Sequence, residues 1–223
     1  MLSVIGETPL ICHSMSAKAK RTLMLGGRKK TAAERLDLKH QPRDEFRDSM
    51  TIDDGRVVFP VTAFKAAMAT AALLVPGMTK ASAQRLLFLP AETVPIWGVP
   101  EIRLDIVRSA DMNRTPDVRS RAMFRHWATE LDIEFVVPNL SATTVATLLA
   151  NAGLTVGVGD FRQEKGRGSF GTFRLATDSA SDNDLIAELQ AMPQSDAISN
   201  PVPANAESAE LLAEFDAELE RRA

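Results

Sequence analysis

The sequence predicts an α+β domain of the ferredoxin-like (βαββαβ) class: an antiparallel sheet with an inserted basic loop and a hairpin finger, followed by an acidic C-terminal tail. Three observations predict it. Strand-like and helix-like runs follow one another as strand, helix, strand, strand, helix, strand. Charge divides the chain: residues 1–177 hold 24 Lys+Arg against 18 Asp+Glu, while 178–223 hold 2 against 11. Six of the twelve glycines fall within 153–174, GLTVGVGDFRQEKGRGSFGTFR, threaded with Arg162, Lys165, Arg167 and Arg174.

Residues 2–12, LSVIGETPLIC, begin as a strand that Gly6 and Pro9 bend or end. Residues 14–40 read as a long basic loop carrying Lys18, Lys20, Arg21, Arg28, Lys29 and Lys30. A short polar helix is expected over 42–50. Asp54-Gly55 reads as a turn and 57–59 as a short strand. The run VTAFKAAMATAALLV after Pro60 is dominated by Ala, Leu and Met, so a helix is expected over 61–75, stopped by Pro76-Gly77. Residues 86–89 and 93–97 read as short strands.

Ile102, Leu104 and Ile106 alternate with Arg103 and Asp105, and Leu131, Ile133, Phe135 and Val137 alternate with Asp132 and Glu134. Both patterns fit half-buried strands. Residues 102–108 and 119–126 would pair around Thr115-Pro116 as a basic finger. Arg108 and Arg114 lie near that turn, and parity places Arg119, Arg121 and Arg125 on one face. Ser141 is a candidate N-cap for a helix through Ala150 that Gly153 closes. Residues 155–158 and 170–175 then read as strands flanking the glycine-rich loop. In the tail, 184–192 is helical and 193–206 is a linker. Residues 209–222 form an amphipathic acidic helix with Leu211, Leu212, Phe215 and Leu219 at helical spacing. That helix is either a docking peptide or folds back on the core. The expected division is a nucleic-acid-binding domain over 1–177 and an acidic tail over 178–223.

Composition narrows the function classes. With 223 residues and 45% hydrophobic side chains, one substantial core is expected. No window approaches the roughly 18 apolar residues of a membrane span. No signal peptide is read at the N-terminus, and a cytoplasmic location is expected. The single cysteine, Cys12, offers neither disulfide nor zinc set and reads as a small buried strand residue. His13, His40 and His126 show no ligand spacing, Asp53-Asp54 suits a turn, and Asp132 with Glu134 suits a polar sheet face. No cofactor, metal or catalytic residue is expected.

The glycine-rich run points elsewhere. Glycine lets backbone approach a ligand closely, and Arg or Lys beside it suits phosphate. Phe161, Phe170 and Phe173 add faces for base stacking. Gly157-Val158-Gly159 lacks the third glycine of a dinucleotide fingerprint, and no Gly-Lys-Ser/Thr opens a helix.

Three segments together resemble the repeat-associated mysterious protein (RAMP) superfamily: VIGETPLI, the strand-to-helix step VVFPVTAFKAAMATAA, and VGVGDFRQEKGRGSFGTFRL. The type they are most similar to is the backbone subunit of CRISPR effector complexes, with a ferredoxin-like palm. Proteins of phage replication and recombination modules are also similar in size and compactness. The step keeps Pro60 and Lys65 but lacks the glycine and serines of the family pattern, and the acidic tail is foreign to the family. The resemblance implies that Lys65, Arg162, Lys165 and Arg167 face nucleic acid, and carries over no catalytic residue.

The expected function is a non-catalytic protein that grips single-stranded RNA or DNA through an open sheet face, the glycine-rich loop and the basic loop. The finger near Arg114, Arg119 and Arg121 would clamp bases. Copies would pack along the strand, and the tail would engage a protein partner. The alternative is an assembly or inhibitor subunit that binds protein alone. A RAMP-type endoribonuclease would need a histidine near the glycine-rich loop, for which His126 is the candidate.

Overall fold

The computed structural model describes residues 1–26, 38–108, 115–165 and 168–222. In chain order the elements are β1 (Leu2–Gly6), β2 (Leu10–Cys12), α1 (Ala17–Leu25), α2 (Pro42–Asp48), β3 (Thr51–Asp53), β4 (Arg56–Pro60) and α3 (Val61–Ala71). Then follow α4 (Lys80–Leu86), β5 (Leu87–Phe88), β6 (Thr93–Pro95), β7 (Pro100–Arg108), β8 (Pro116–Phe124), β9 (Ala128–Leu131) and β10 (Glu134–Phe135). The chain ends with α5 (Ala142–Thr155), β11 (Phe173–Leu175), α6 (Ala180–Ala191), α7 (Ser195–Ser199) and α8 (Ala206–Arg222). None of the described helices is long and apolar enough to cross a membrane.

The architecture is a mixed fold of helices and small antiparallel sheets. Instead of one continuous sheet, the described strands divide into β11-β1-β9, β2-β8-β7, β3-β4-β6 and the pair β10-β5. In the first, Val4 stands opposite both Leu175 and Thr129. An antiparallel bridge from Ala128 to Trp97 joins the chain after β6 to β9.

Two helices cover one face of β11-β1-β9. In α3 the buried Val61, Phe64, Ala67, Met68 and Ala71 recur at helical spacing. In α5 the Ser141 hydroxyl accepts from the Thr144 backbone N–H at 3.1 Å, and Val145, Leu148, Leu149 and Ala152 are buried. Phe64 meets Phe173 with ring centroids 5.6 Å apart, and Trp127 meets Phe173 at 6.1 Å. The Phe64–Phe173 contact ties α3 to the sheet, each buried ring contributing about 1.5–3 kcal/mol. Gly153 does not end α5. It lies inside the helix where a Cβ would overlap the Phe173 carbonyl, so its missing side chain lets helix and strand close up. The chain leaves the helix at Gly157, with φ +74° and its N–H donating to the Ala152 carbonyl at 2.9 Å.

The other sheet face, expected to be open for a ligand, is covered. Ile5, Trp97 and Ala128 pack with Leu189 of α6, joined by Leu185 and Ile186. This corrects the free sheet face. The tail is further tied down at Gln194, whose amide donates to the Ile96 and Gly98 carbonyls, 2.8 Å each, and accepts from the Val57 N–H at 2.8 Å. The Ile102 N–H donates to the Val202 carbonyl and the Ala204 N–H to the Ile102 carbonyl, 2.9 Å each. In α8, Leu212 is buried and the Ser208 hydroxyl accepts from the Leu104 N–H at 3.0 Å. Asp216 binds Arg43 through two hydrogen bonds of 2.6 and 2.8 Å. The acidic helix therefore folds back on the body.

Further expectations need correction. The predicted strand over 131–137 is divided: β9 ends at Leu131, and Glu134 and Phe135 pair instead with Phe88 and Leu87. Residues 155–158 form no strand, because α5 continues through Thr155. The basic loop contains α1, capped by the Ser16 hydroxyl accepting from the Ala19 N–H at 3.2 Å. Residues 80–86 form a helix that was not expected, with a Thr79–Ser82 capping box.

Candidate nucleic-acid interface

The glycine-rich loop lies across the end of β2. The Asp160 N–H donates to the Ile11 carbonyl at 2.9 Å, and the Gly171 N–H to the Pro9 carbonyl at 2.8 Å. Gly171 has φ +69°, and a Cβ there would overlap the Val158 carbonyl, so this crossing requires glycine.

One side of the loop is joined to the β7–β8 hairpin. The hairpin pairs from Pro100↔Phe124 to Arg108↔Pro116, as the alternation suggested. Arg121, only 1% exposed, spans Asp105 at 2.6 Å and Asp160 at 2.5 Å. His13 Nδ1 lies 2.9 Å from Asp160 Oδ2, the same oxygen that Arg121 binds. The hydrogen bond from His13, the Phe161 backbone N–H and the Arg121 guanidinium outweigh desolvation and hold the Asp160 carboxyl well below the usual carboxylate range. The Arg121 guanidinium carbon stands 4.7 Å from the Phe161 ring centroid, and that of Arg103 5.2 Å from Phe170. Arg121 is therefore a buried strut, not a surface cation. Phe161 and Phe170 carry arginines of the hairpin, and Phe173 is buried in the core, so none of the three offers a free stacking face. Arg125 pairs with Glu101 at 2.8 Å and donates to the Ala204 carbonyl.

The other side of the loop faces α3 across a cleft of about 290 Å³. Small side chains of α3, Ala63, Ala66, Ala67 and Thr70, make one wall. Gly157, Val158 and Gly159 make the other, and Lys80, Arg162 and Lys165 rim it with one carboxylate, Glu164. Arg162 pairs with Glu164 at 2.9 Å and donates to the Gly159 carbonyl at 3.2 Å. Lys80 and Lys165 are exposed and hold no ion pair among the described residues. Three cations against one carboxylate, beside glycine backbone, make a surface suited to phosphate. Lys80 was missed because its charge is isolated in sequence; the start of α4 brings it here.

A second cleft, of about 460 Å³, is lined by His13, His40, Glu45, Asp117 and Arg119 among others. Its charges are largely matched: His40 lies 3.0 Å from both Glu45 and Asp117, and Lys39 lies 2.5 Å from Asp117. Arg119 is half-buried there. The histidine beside the glycine-rich loop is His13; His126 sits exposed in the turn between β8 and β9.

The remaining predicted site residues are dispersed. Lys18, Lys20 and Arg21 belong to α1, the latter two exposed. Lys65 is on α3 with its ammonium 5.6 Å from the Phe88 ring centroid. Arg28, Lys29, Lys30, Arg114 and Arg167 lie outside the described residues. Of the docking residues, Leu212 is buried and Leu211 packs against the core, so neither is available to a partner; Phe215 is half-buried and Leu219 is exposed.

No protein-family model matches the chain, and no curated protein matches it.

Proposed function

We propose that the protein binds single-stranded nucleic acid without catalysing a reaction on it. The observation that carries this reading is the cleft between α3 and the glycine-rich loop, where Lys80 and Lys165 stand unpaired among the described residues beside Gly157 and Gly159. A phosphodiester there meets positive charge and backbone it can approach closely. In this reading the helix pair on β11-β1-β9 is a ferredoxin-like palm of the RAMP type, consistent with β1 lying between β11 and β9 and with helices α3 and α5 in the two connections. Because the tail covers the sheet, the strand runs over the helical side, not the sheet face.

The test is fluorescence anisotropy of the full chain with labelled single-stranded RNA and DNA of about 30 nucleotides, long enough for more than one copy. Binding is expected to weaken as salt rises. Lys80→Ala with Lys165→Ala should reduce affinity about tenfold or more at low salt and flatten the salt dependence by roughly 0.7 per lost contact. Unchanged affinity in that variant removes the proposal.

A second reading, a protein-assembly subunit, is favoured by α1. Its Leu23, Met24 and Leu25 are 74%, 78% and 65% exposed next to Lys20 and Arg21. Apolar residues left in water on a cationic helix suit an acidic protein surface, a second copy of this chain included. Solution mass with and without oligonucleotide separates the readings: assembly that needs the oligonucleotide supports coating of a strand, and assembly without it supports the subunit.

A further inference from the structure

We infer that the side of α3 away from the lysine-rimmed cleft carries a nucleobase subsite centred on Phe88. The inference rests on the proposed function and deepens it by placing a base as well as a phosphate. Helix α3 separates two depressions. One is the phosphate cleft. The other, about 710 Å³, has Val61, Thr62 and Lys65 of α3 on one side and Phe88, Glu92 and Glu134 on the other.

Phe88 is 49% exposed although its neighbour Leu87 is fully buried. Among the described residues its strand β5 pairs only with β10, in the register Glu134↔Phe88. A lone exposed apolar residue is ordinary. What sets Phe88 apart is its company. The Lys65 ammonium is held 5.6 Å from the ring centroid, so the aromatic presents a cation beside its π-face. Two carboxylates, Glu92 and Glu134, share the depression. They repel phosphate, and they accept hydrogen bonds from exocyclic amines on base edges.

Charge is thus sorted across one helix. Lys80, Arg162, Lys165 and glycine backbone lie on one side; an aromatic ring with Lys65 beside it and two carboxylate acceptors lie on the other. A strand crossing α3 places its backbone in the first and turns a base onto Phe88. Only an unstacked base can do this, which selects single strands over duplex. The carboxylates favour a base with an amino group, cytosine, adenine or guanine, over thymine or uracil.

The test compares the full chain and its Phe88→Ala variant by anisotropy on three strands of about 15 nucleotides, the upper end of one module's site. The strands are oligo-dC, oligo-dT and an abasic backbone of the same length. Wild type should bind oligo-dC most tightly and the abasic strand least. Phe88→Ala should lose about 5- to 160-fold on oligo-dC, the range of one base–aromatic stack, and nothing on the abasic strand. Phe88→Tyr should restore binding. A wild type that binds the abasic strand as tightly as oligo-dC overturns the subsite and leaves the phosphate cleft standing. So does a Phe88→Ala variant that weakens both strands equally. Equal affinity for oligo-dC and oligo-dT overturns the role of Glu92 and Glu134. No binding of any strand by wild type overturns the nucleic-acid reading and the subsite together.

Discussion

The β7–β8 hairpin region holds six arginines over 100–125 and the glycine-rich run three over 153–174, yet the cations of the two regions end in different electrostatic surroundings. In the hairpin three of the arginines find a carboxylate, Arg103 with Asp105, Arg121 with Asp105 and Asp160, Arg125 with Glu101, while Arg108 and Arg119 hold no ion pair among the described residues. The loop's cleft keeps Lys165 unpaired and gains Lys80 from α4. The difference teaches that a basic sequence segment keeps a surplus of positive charge only where the fold fails to neutralise it. At the cleft lysine carries the surplus charge, while Arg103, Arg121 and Arg125 serve the structure, in keeping with the planar guanidinium's fit to carboxylates.

The comparison breaks or holds on stability as well as binding. The largest stability effect is expected at Arg121. Arg121→Ala removes a buried guanidinium from two carboxylates and should cost about 3–5 kcal/mol in urea unfolding. A loss below about 1 kcal/mol would return Arg121 to the status of an ordinary surface cation. Lys80→Ala with Lys165→Ala should show the reverse pattern, weak binding at unchanged unfolding midpoint, because both side chains are exposed.

The pH dependence sharpens the contrast. Asp160 is held below the ordinary carboxylate range in the folded protein, and the unfolded chain's aspartate titrates near about 3.9. Its contribution is therefore complete above the unfolded value and is lost as pH falls toward the lower folded value. The stability difference between wild type and Asp160→Asn should narrow as pH is lowered from about 7 to about 3. A constant difference would show that the carboxylate is not linked to folding. The smallest effect is expected at Arg125→Ala, which breaks a partly exposed pair and should change stability by less than about 1 kcal/mol. Oligonucleotide affinity should be untouched, and a marked loss would place the hairpin in the interface.

Cys12 gives a test of burial within the same region. Desolvation pushes its thiol up to about 12. A thiol reagent at about pH 8 should leave the folded protein unmodified and label it fully once unfolded.

Much of the local structure was legible. The Ala-rich run after Pro60 and the capped run after Ser141 became α3 and α5, because propensity and apolar spacing act within a few residues. Alternation located β7 and its pairing with β8. Alternation over 131–137 marked Leu131 as buried and Ile133 and Phe135 as packed on the core, but not the exchange of hydrogen-bonding partner at Asp132. Side-chain parity records burial; it is silent on which strand lies alongside.

Gly153 shows the same limit from the other direction. A glycine near the end of a helical run reads as a cap, while here close packing against the Phe173 carbonyl requires it. In the site, Arg162 and Lys165 could be named from the glycine-rich run, whereas Lys80 and Phe88 could not. They reach α3 through α4 and β5, elements placed by long-range packing.

By itself the sequence determined α2, α3, α5, α6 and α8, the hairpin and the turns at Gly55 and Gly77, since these depend on neighbours a few residues apart. Only the tertiary structure decided which cations remain free, which sheet face is covered, and where the acidic tail lies. Those outcomes depend on groups far apart in the chain, such as Arg121 with Asp160, Leu189 with Ile5 and Gln194 with Val57. Ion pairing and burial act through distance in space, which the order of residues does not contain.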